Sequence, residues 1–417
     1  MNRMPVVVLI AFKSLLNRRL TATLTILSIA VSVALLAAVD RVRTDARTSF
    51  TNTISGTDLI IGARSGELNL LLYSVFRIGN PTNNIQWSSY REISARPEVA
   101  WTIPLSLGDA HRGYRVLGTD RGYFEHYRYA ENESLEFAHG AEFAKATDAV
   151  VGAEVAEQLG YEVGRQIVVS HGVAETSFVT HDEHPFTITG ILAPTGTPVD
   201  RTVHISLGGM DLIHLQPGAT HGTERHLDAE DHAPEAITAM MVGLKSRLSI
   251  FTLQRWVGDY EREALLAIIP GVALQRLWGL VGVAEYALFG ISTMVVLAGI
   301  LGLLSSLLVS LNERRREMSV LRAVGATPGH VFLLLVSEAA LLGIIGAVTG
   351  LILVQVALFV GQQWAVAEFG IQLSAGSLRA FDIYLFVGVI ALSVLASALP
   401  AWRAYRNSLA DGLAATI

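Results

Sequence analysis

The sequence predicts an α-helical membrane protein with four transmembrane helices and a large α+β extracytoplasmic domain. Of its 417 residues, 51% are hydrophobic and only 16% are charged, whereas soluble domains average about 25% charged residues. Four uncharged apolar runs each reach the roughly 20 residues that a helix needs to cross a bilayer. A long segment of mixed polarity separates the first run from the other three. These observations are typical of a membrane protein with one large soluble domain.

The apolar runs set the boundaries along the chain. We assign spanning helices to residues 20–42, 281–312, 330–362 and 382–402. Residues 1–19 are basic and apolar, which favours a cytoplasmic amphipathic helix at the membrane surface; the alternative is the ragged start of the first span. A cleaved signal peptide would have a shorter apolar run of roughly 7–15 residues. The remaining segments are an outer domain at 43–280, a loop at 313–329, a short outer loop at 363–381 and a tail at 403–417.

Basic residues beside the spans predict the orientation of the chain. Residues 1–19 contain four basic residues and no acidic residue, and four arginines follow the second span. Because cytoplasmic segments are enriched in lysine and arginine, both termini and the 313–329 loop are predicted to be cytoplasmic, and the outer domain lies on the opposite side. The mild net charge of −6 argues against a nucleic-acid partner. The absence of cysteine excludes disulfides and cysteine metal sites.

The outer domain is predicted to mix strands and helices, with helical stalks at its membrane-proximal ends. Gly160 ends a short helix, and Pro194, Gly196 and Pro198 form a turn. The unusually apolar stretch 66–78 is predicted to be a core helix; the alternative is a surface helix that contacts a partner or a lipidic substrate. The predicted strands are 149–151, 166–170, 186–192, 202–207 and 237–244, and the predicted helices are 154–159 and 250–266.

Two histidine clusters in the outer domain are candidate metal ligands. His181 and His184 flank two carboxylates, and a polar, acidic loop contains His221, His226 and His232. Imidazole and carboxylate groups are good ligands for zinc, nickel or copper. The pattern has neither HExxH nor paired His/Cys spacing, so an ordinary solvated loop is the alternative interpretation.

The third span contains small residues at helical spacing, among them Gly343, Gly346 and Gly350. Small residues let helices approach closely. The resulting contact joins either two subunits or two helices of one subunit. Glu338 is the exception to the scarcity of ionisable residues in the spans. It is either a functional carboxylate or an interfacial one that pairs with a nearby arginine.

The loop after the second span places arginines beside apolar residues. A charged stretch leaves the bilayer first, and a short amphipathic turn follows, which Gly325 ends and Pro328 blocks. Such a turn is suited to docking in a groove of a partner protein; the alternative is an ordinary cytoplasmic loop. The candidate docking residues are Glu313, Arg314, Arg315, Arg316, Glu317, Met318, Leu321, Arg322, Gly325, Ala326 and Thr327.

The run ERRREMSVLRAVGAT at 313–327 resembles the signature of the MacB/FtsX-type ABC transporter permease family. The ending that starts with Leu399-Pro-Ala-Trp-Arg also resembles this family, and the stretches 150–160 and 186–207 resemble its periplasmic core domain. The order of one span, a large outer domain and three further spans matches as well. The resemblance covers nearly the whole chain and is least evident at 208–236.

The resemblance implies a non-catalytic permease subunit in a bacterial inner membrane, with its large domain in the periplasm. It implies a homodimer, or a heterodimer with a similar permease, whose 313–327 segments contact two copies of an ABC ATPase. The chain has no GxxxxGK[ST] motif, so ATP and magnesium are expected on that partner. Only 19 residues precede the first span, and we therefore expect the ATPase to be a separate polypeptide. A periplasmic adaptor or substrate-binding protein and membrane lipid are the other expected partners.

The family also implies a mechanism of mechanotransmission. ATP binding moves the 313–327 segment, and the second span carries this motion to the outer domain, which exports or extracts a lipoprotein, peptide, drug or similar substrate. One alternative is an FtsX-like regulatory transmitter that controls a cell-wall hydrolase or sensor. Another is a zinc-linked transport system that uses the histidine-rich outer loop.

Overall fold

The computed structural model divides the chain into two compact units. The transmembrane unit comprises residues 1–46, 282–368 and 372–417, and the outer unit comprises 47–281 with 369–371. Both unit boundaries at 46/47 and 281/282 fall inside continuous helices. The structure describes residues 4–171, 185–214, 234–313, 320, 323–369, 376 and 378–410.

The described helices follow one another along the chain. They are α1 (Met4–Asn17), α2 (Arg19–Asn52), α3 (Glu67–Val75), α4 (Trp87–Ser94), α5 (Gly122–His126), α6 (Ala153–Leu159), α7 (Leu207–His214), α8 (Ile250–Gly258), α9 (Pro270–Glu313), α10 (Pro328–Phe369) and α11 (Ala380–Ala410). Two short 3₁₀ helices lie at Pro198–Arg201 and Arg247–Ser249.

The strands belong to the outer unit. They are β1 (Leu59–Ala63), β2 (Ile85–Gln86), β3 (Val99–His111), β4 (Tyr114–Thr119), β5 (Arg128–Tyr129), β6 (Glu133–Ser134), β7 (Phe137–Gly140), β8 (Asp148–Val151), β9 (Gln166–Ile167), β10 (Ser170–His171), β11 (Phe186–Leu192), β12 (Thr202–Ser206), β13 (Ala236–Ile237), β14 (Ala239–Leu244) and β15 (Leu265–Ile268).

Four helices of the described chain, α2, α9, α10 and α11, are long and apolar enough to cross a membrane. A helix satisfies its own backbone hydrogen bonds, which the bilayer core cannot do. The structure therefore confirms the predicted fold class of four spans and an α+β outer domain. Helix α2 continues to Asn52 and α9 begins at Pro270, so both extend beyond the predicted spans 20–42 and 281–312 as stalks.

Helix α1 is separate from α2, because the chain turns at Arg18 between them. On α1, Ala11 and Leu15 are buried, while Phe12 and Leu16 are exposed. The predicted helix within 1–19 is therefore an element of its own and not the ragged start of the first span.

The three glycines of α10 pack against other helices of the same chain. A Cβ atom on Gly346 would lie 2.7 Å from the Cβ of Ile29, and one on Gly350 would lie 2.6 Å from the carbonyl oxygen of Ala30, both on α2. A Cβ atom on Gly343 would lie 2.7 Å from the hydroxyl of Ser393 on α11. Of the two arrangements that the sequence leaves open, these glycines show contact between helices of one subunit.

The outer unit contains a large mixed sheet with the strand order β15-β1-β14-β3-β4-β12-β8-β11-β7, and β10 and β9 pair at its side with β3 and β11. Most neighbours are antiparallel, but β12 is parallel to β4 and β11 is parallel to β8. Separate two-stranded ladders join β13 to β2 and β5 to β6. The sequence alone could not give this order.

The central strands are apolar on both faces because helices cover both faces. Successive side chains of a strand point to opposite sides. On β1, Ile60 packs in the core that contains α3, while Leu59 and Ile61 pack in the core that contains α4 and α8. Leu70, Leu71 and Tyr73 of α3 are also buried, which confirms the prediction of a core helix within 66–78. A third core lies between β8, β11, β12, α6 and α7.

The prediction of one helix over 250–266 is wrong. Helix α8 ends at Gly258, and Leu265–Ile268 forms β15, which pairs with β1. The predicted strand 166–170 is also two short strands, because β9 pairs with β11 whereas β10 pairs with β3. The predicted strand 237–244 breaks at Thr238, whose hydroxyl accepts a hydrogen bond from the Leu107 backbone N–H at 2.9 Å.

We expect Gly350→Ala to destabilise the transmembrane unit. The added methyl group would meet α2 at less than 3 Å, and overpacking costs about 1–3 kcal/mol. The matched control is Gly361→Ala on the same helix, where a Cβ atom meets nothing within 4 Å and the better helix propensity adds about 0.5–1 kcal/mol. Thermal unfolding of the full chain in detergent should show a lower melting temperature for Gly350→Ala alone. Equal melting temperatures would contradict the packing described.

Candidate functional site

Helices α2 and α9 contact each other in the transmembrane unit. The Ser32 hydroxyl donates to the carbonyl of Val295 at 3.0 Å, and Gly299 allows this close approach, since its Cβ position lies 3.0 Å from the same hydroxyl. Towards the outer end of the pair, Arg43 Nε donates to Glu285 Oε2 at 2.8 Å. A polar contact and an ion pair therefore fix α9 along α2.

The same two helices also meet inside the outer unit. Phe50, near the end of α2, packs edge to face on Trp278 of α9 with ring centroids 5.7 Å apart. Arg47 lies over the Trp278 ring at 5.4 Å, and Phe50 also contacts Phe76 at 4.4 Å. Phe76 belongs to the main core of the outer unit. Both stalks are thus attached to that core through aromatic side chains, which bury a large apolar area.

A cluster of four charges links α2 to the start of α11. Arg41 and Asp382 form an ion pair at 2.5 Å, with side chains 0% and 1% exposed. Arg379 pairs with Asp45, and the Arg379 backbone N–H donates to Asp382 Oδ2 at 2.9 Å. Breaking a buried pair by removing one partner costs about 3–5 kcal/mol. The cluster therefore holds two spans in one relative position.

The sequence did not predict a contact among these four residues, because charged residues at the ends of spans also serve as indicators of topology. A signal was available: a short mixed-charge run, Asp40-Arg-Val-Arg-Thr-Asp45, follows the first apolar run, and Arg379 and Asp382 precede the last. Complementary charges at the same side of two spans indicate a contact between them.

The predicted docking segment is described only at its two ends. Glu313 is the last residue of α9. The Val324 N–H bonds to the carbonyl of Val320 at 3.1 Å, and Gly325 has a φ of +102°, a left-handed conformation that suits glycine at a helix end. The predicted residues outside the described part of the chain are Arg314, Arg315, Arg316, Glu317, Met318, Leu321 and Arg322.

The end of this segment is joined to the start of α10. Ala326 precedes Thr327, whose backbone N–H and hydroxyl lie 3.1 and 2.7 Å from Nδ1 of His330. These contacts cap the first turn of α10, which begins at Pro328, a residue whose fixed φ suits the first position of a helix. Further along α10, Glu338 is buried, with 3% of its surface exposed.

The histidines proposed as metal ligands, His181, His184, His221, His226 and His232, all lie outside the described residues. Two other histidines of the outer unit are core residues. Burial lowers the pKa of His204 to about 3, and His111 lies 2.7 Å from the hydroxyl of Tyr161 and 2.6 Å from the carbonyl of Val168. Burial also lowers the pKa of His111, which favours the neutral form of its ring. The described parts of the chain contain no group of three or more residues suited to hold a metal ion.

The outer unit also has an open depression of about 630 Å³ beside α8. Its lining includes Trp256 and Tyr260, whose rings are 5.2 Å apart. Glu92 accepts hydrogen bonds there from Tyr260 at 2.8 Å and from Arg262 at 3.0 Å. These polar groups bond to one another, so the depression is a mixed-charge surface and not an apolar ligand pocket.

Two family models match adjoining parts of the chain. The MacB-like periplasmic core domain matches residues 22–257, and the FtsX-like permease C-terminal matches residues 289–409. The first match covers the outer unit up to α8 together with most of α2. The second covers α9 from residue 289 onwards, the segment between α9 and α10, α10, and nearly all of α11.

Three relatives are similar to the chain at low identity. The pyoverdine export ATP-binding/permease protein PvdT of Pseudomonas savastanoi is 24% identical over 70% of this chain and 43% of its own length. The lipoprotein-releasing system transmembrane protein LolC of Neisseria meningitidis is 24% identical over 49% of this chain and 46% of its own. The macrolide export ATP-binding/permease protein MacB of Nitrobacter winogradskyi is 23% identical over 97% of this chain and 59% of its own.

The chain thus spans less than two thirds of the length of each of these curated relatives. The order of four spanning helices and one large extracytoplasmic domain agrees with both family models. The chain belongs to the MacB/FtsX family of ABC transporter permeases.

Proposed function

We propose that this chain is the permease subunit through which a separate ABC ATPase drives movements of a periplasmic domain. The continuity of α9 is the observation that carries the proposal. One helix runs from Pro270 in the outer unit to Glu313 at the docking segment. A displacement of the 313–327 segment therefore reaches the outer domain through a single helix, without passing through a loop.

Contacts along α9 support transmission in preference to local bending. In the transmembrane unit, α9 is fixed to α2 by the contacts of Ser32 and Arg43. In the outer unit, Trp278 of α9 packs against Phe50 of α2 and its core neighbours. Helix α2 is also continuous through both units. We therefore expect α2 and α9 to move together.

The paired charges of the described spans favour a role in transmitting motion over a role in lining a pathway for substrate. Polar residues that line a pathway through a membrane face a cavity or the bundle interior. Here Arg41, Asp45, Arg379 and Asp382 pair with one another at one end of α2 and α11. We propose that they brace the spans and that substrate does not pass between them.

The assembly follows from the family. We propose a dimer of permeases bound to two ATPase subunits, which hold ATP and magnesium, in a bacterial inner membrane with both termini of this chain in the cytoplasm. The names of the relatives refer to pyoverdine export, macrolide export and lipoprotein release. We propose a substrate of the same broad kind, a lipoprotein, peptide or drug, that a periplasmic partner delivers or receives.

Substitutions in the docking segment should abolish association with the ATPase. We expect the triple variant Arg316→Glu, Glu317→Arg, Leu321→Asp to recover at least about tenfold less ATPase than the unchanged permease does. Residues central to an interface contribute about 2 kcal/mol or more each to binding, and about 1.4 kcal/mol corresponds to a tenfold change in affinity. The measurement is affinity purification of the tagged permease from native membranes, with quantification of the ABC ATPase by mass spectrometry. The control is Arg403→Glu, an exposed arginine near the end of α11.

Undiminished ATPase recovery with the triple variant would refute the docking assignment. The same purification tests the transport role. Recovery of a periplasmic adaptor or substrate-binding protein supports transport, whereas recovery of a cell-wall hydrolase or a sensor kinase would assign a regulatory role and overturn it.

Loss of the buried ion pair should uncouple the ATPase from the outer domain. Asp382→Asn removes the carboxylate charge that pairs with the buried Arg41 guanidinium, and we expect a loss of about 3–5 kcal/mol in stability together with loss of substrate-stimulated ATP hydrolysis by the reconstituted complex. The comparison is Glu285→Gln, which removes the partner of Arg43, a side chain that is 36% exposed; such pairs contribute about 0–1 kcal/mol. Equal effects of the two variants would contradict a special role for the buried pair.

A further inference from the structure

Another open depression of the outer unit, of about 730 Å³, lies where α9 passes the start of α3. Residues 65–69 form one side of it, and Arg276, Gly279 and Leu280 of α9 form the other. Its wall is mainly apolar, and Leu280 is 66% exposed. Concave apolar surface that a folded chain leaves open is typical of a binding site.

The course of α9 places this depression beside the predicted second span. Strand β15 ends at Ile268, close to its pairing with Ile60 at the start of β1, and α9 begins shortly afterwards. Arg276 of α9 then forms an ion pair with Glu67, which follows the opposite end of β1. Helix α9 therefore runs back along the sheet, and the depression lies at its last turn before the predicted span 281–312. This is the membrane-side end of the outer unit.

An exposed apolar stripe continues from the depression along α9. Leu280 follows Arg276 by four positions, so both side chains lie on one face of the helix. The same face carries Val283, Ile291 and Met294, and Val283 and Met294 are 74% and 72% exposed. One helix face thus has a cation at its outer end and apolar side chains along the predicted span.

The rim of the depression carries charges of both signs. Among the described residues that line it, Arg276 is basic and Glu67 is acidic, with side chains 61% and 36% exposed. Such an exposed ion pair is weak, so a ligand can take the place of either partner at little cost. The nearby Arg64 is engaged, because it donates to the backbone carbonyls of Gly258 and Leu265 at 2.9 and 3.3 Å. The rim is therefore complementary to a zwitterion.

We propose that the depression binds a phospholipid of the leaflet that faces the outer domain, with a headgroup of the phosphoethanolamine class. The phosphate lies at the guanidinium of Arg276, whose N–H groups match phosphate geometry. The ammonium group lies beside Glu67, and the acyl chains follow Leu280 and Val283 towards the bilayer. Burial of hydrocarbon and the charged contacts at the rim act together to hold the lipid.

The shape and the charges favour a lipid over two other occupants. Pockets for soluble small molecules enclose most of their ligand, whereas this depression is open and continues into the apolar stripe of α9. A second copy of the chain that covered the same face would bury both Arg276 and Glu67, and burying charges is costly unless new partners compensate them. A lipid headgroup supplies such partners and leaves the rim in contact with water. The site does not involve the ATPase, so its test is separate from that of the proposed function.

Gly279 allows the site to be filled without disturbing the fold. A Cβ atom there meets nothing within 4 Å, so the side chain of Gly279→Leu has room in the depression. Leucine also removes the penalty of a glycine inside a helix. The matched control is Gly271→Leu in the first turn of α9, where the position is exposed and a Cβ atom again meets nothing within 4 Å. Gly271 is not part of the lining.

Native mass spectrometry of the full chain in detergent, with phosphatidylethanolamine and phosphatidylglycerol added in equal amounts, measures the binding. We expect one tightly held phosphatidylethanolamine per chain in the unchanged protein and in Gly271→Leu. Gly279→Leu and Arg276→Gln should bind at least about fivefold less, since they block the site or remove the phosphate partner. Glu67→Gln should lose the preference for phosphatidylethanolamine over phosphatidylglycerol. Undiminished binding by Gly279→Leu, or no preference in the unchanged protein, would overturn the proposal.

A spin label distinguishes lipid from water and from a second copy. Because the chain has no native cysteine, a nitroxide can be attached to Leu280→Cys alone, in nanodiscs of the same two lipids. Electron paramagnetic resonance compares its collisions with oxygen, which concentrates in lipid, and with a water-soluble nickel chelate. We expect a several-fold higher ratio of oxygen to nickel collisions than for Val272→Cys, a 42% exposed position two turns earlier on α9. Equal ratios, or protection of the label at 280 from both reagents by a protein neighbour, would refute the lipid site.

Discussion

The transmembrane unit depends on the buried ion pair between Arg41 and Asp382. Two opposite charges removed from water are held together, because separating them in a medium of low dielectric constant costs the attraction that offsets their lost hydration. The ion pair therefore fixes which turn of α2 contacts the first turn of α11. Helix α10 then packs against both of them through glycine, at Gly346 and Gly350 on one side and at Gly343 on the other. Close packing of this kind transmits displacement because it leaves little free volume to absorb it.

In the outer domain, the ends of α2 and α9 are held by packing against the protein core. Its sheet is covered on both faces, so apolar side chains from both faces of β1 are buried and the strand is rigidly placed. Phe50 and Trp278 extend one of these cores onto the ends of α2 and α9. The helices are thus part of the folded core of the domain. A rotation of α9 cannot occur without repacking this core, and packed cores switch between discrete arrangements more readily than they deform.

Local sequence patterns predicted what depends on local physics. Apolar length identified the spans, and period-two alternation identified β11, because both features are present in consecutive residues. The prediction of one helix over residues 250–266 is wrong because the structure there depends on a distant part of the chain. Leu265–Ile268 has a composition equally suited to helix, and it becomes a strand only because β1 offers an unpaired edge some 200 positions earlier in the chain. The Arg41–Asp382 pair joins residues 341 positions apart, and no local pattern specifies which arginine meets which aspartate. The docking segment shows a third case, in which resemblance names the residues and the structure describes only the ends.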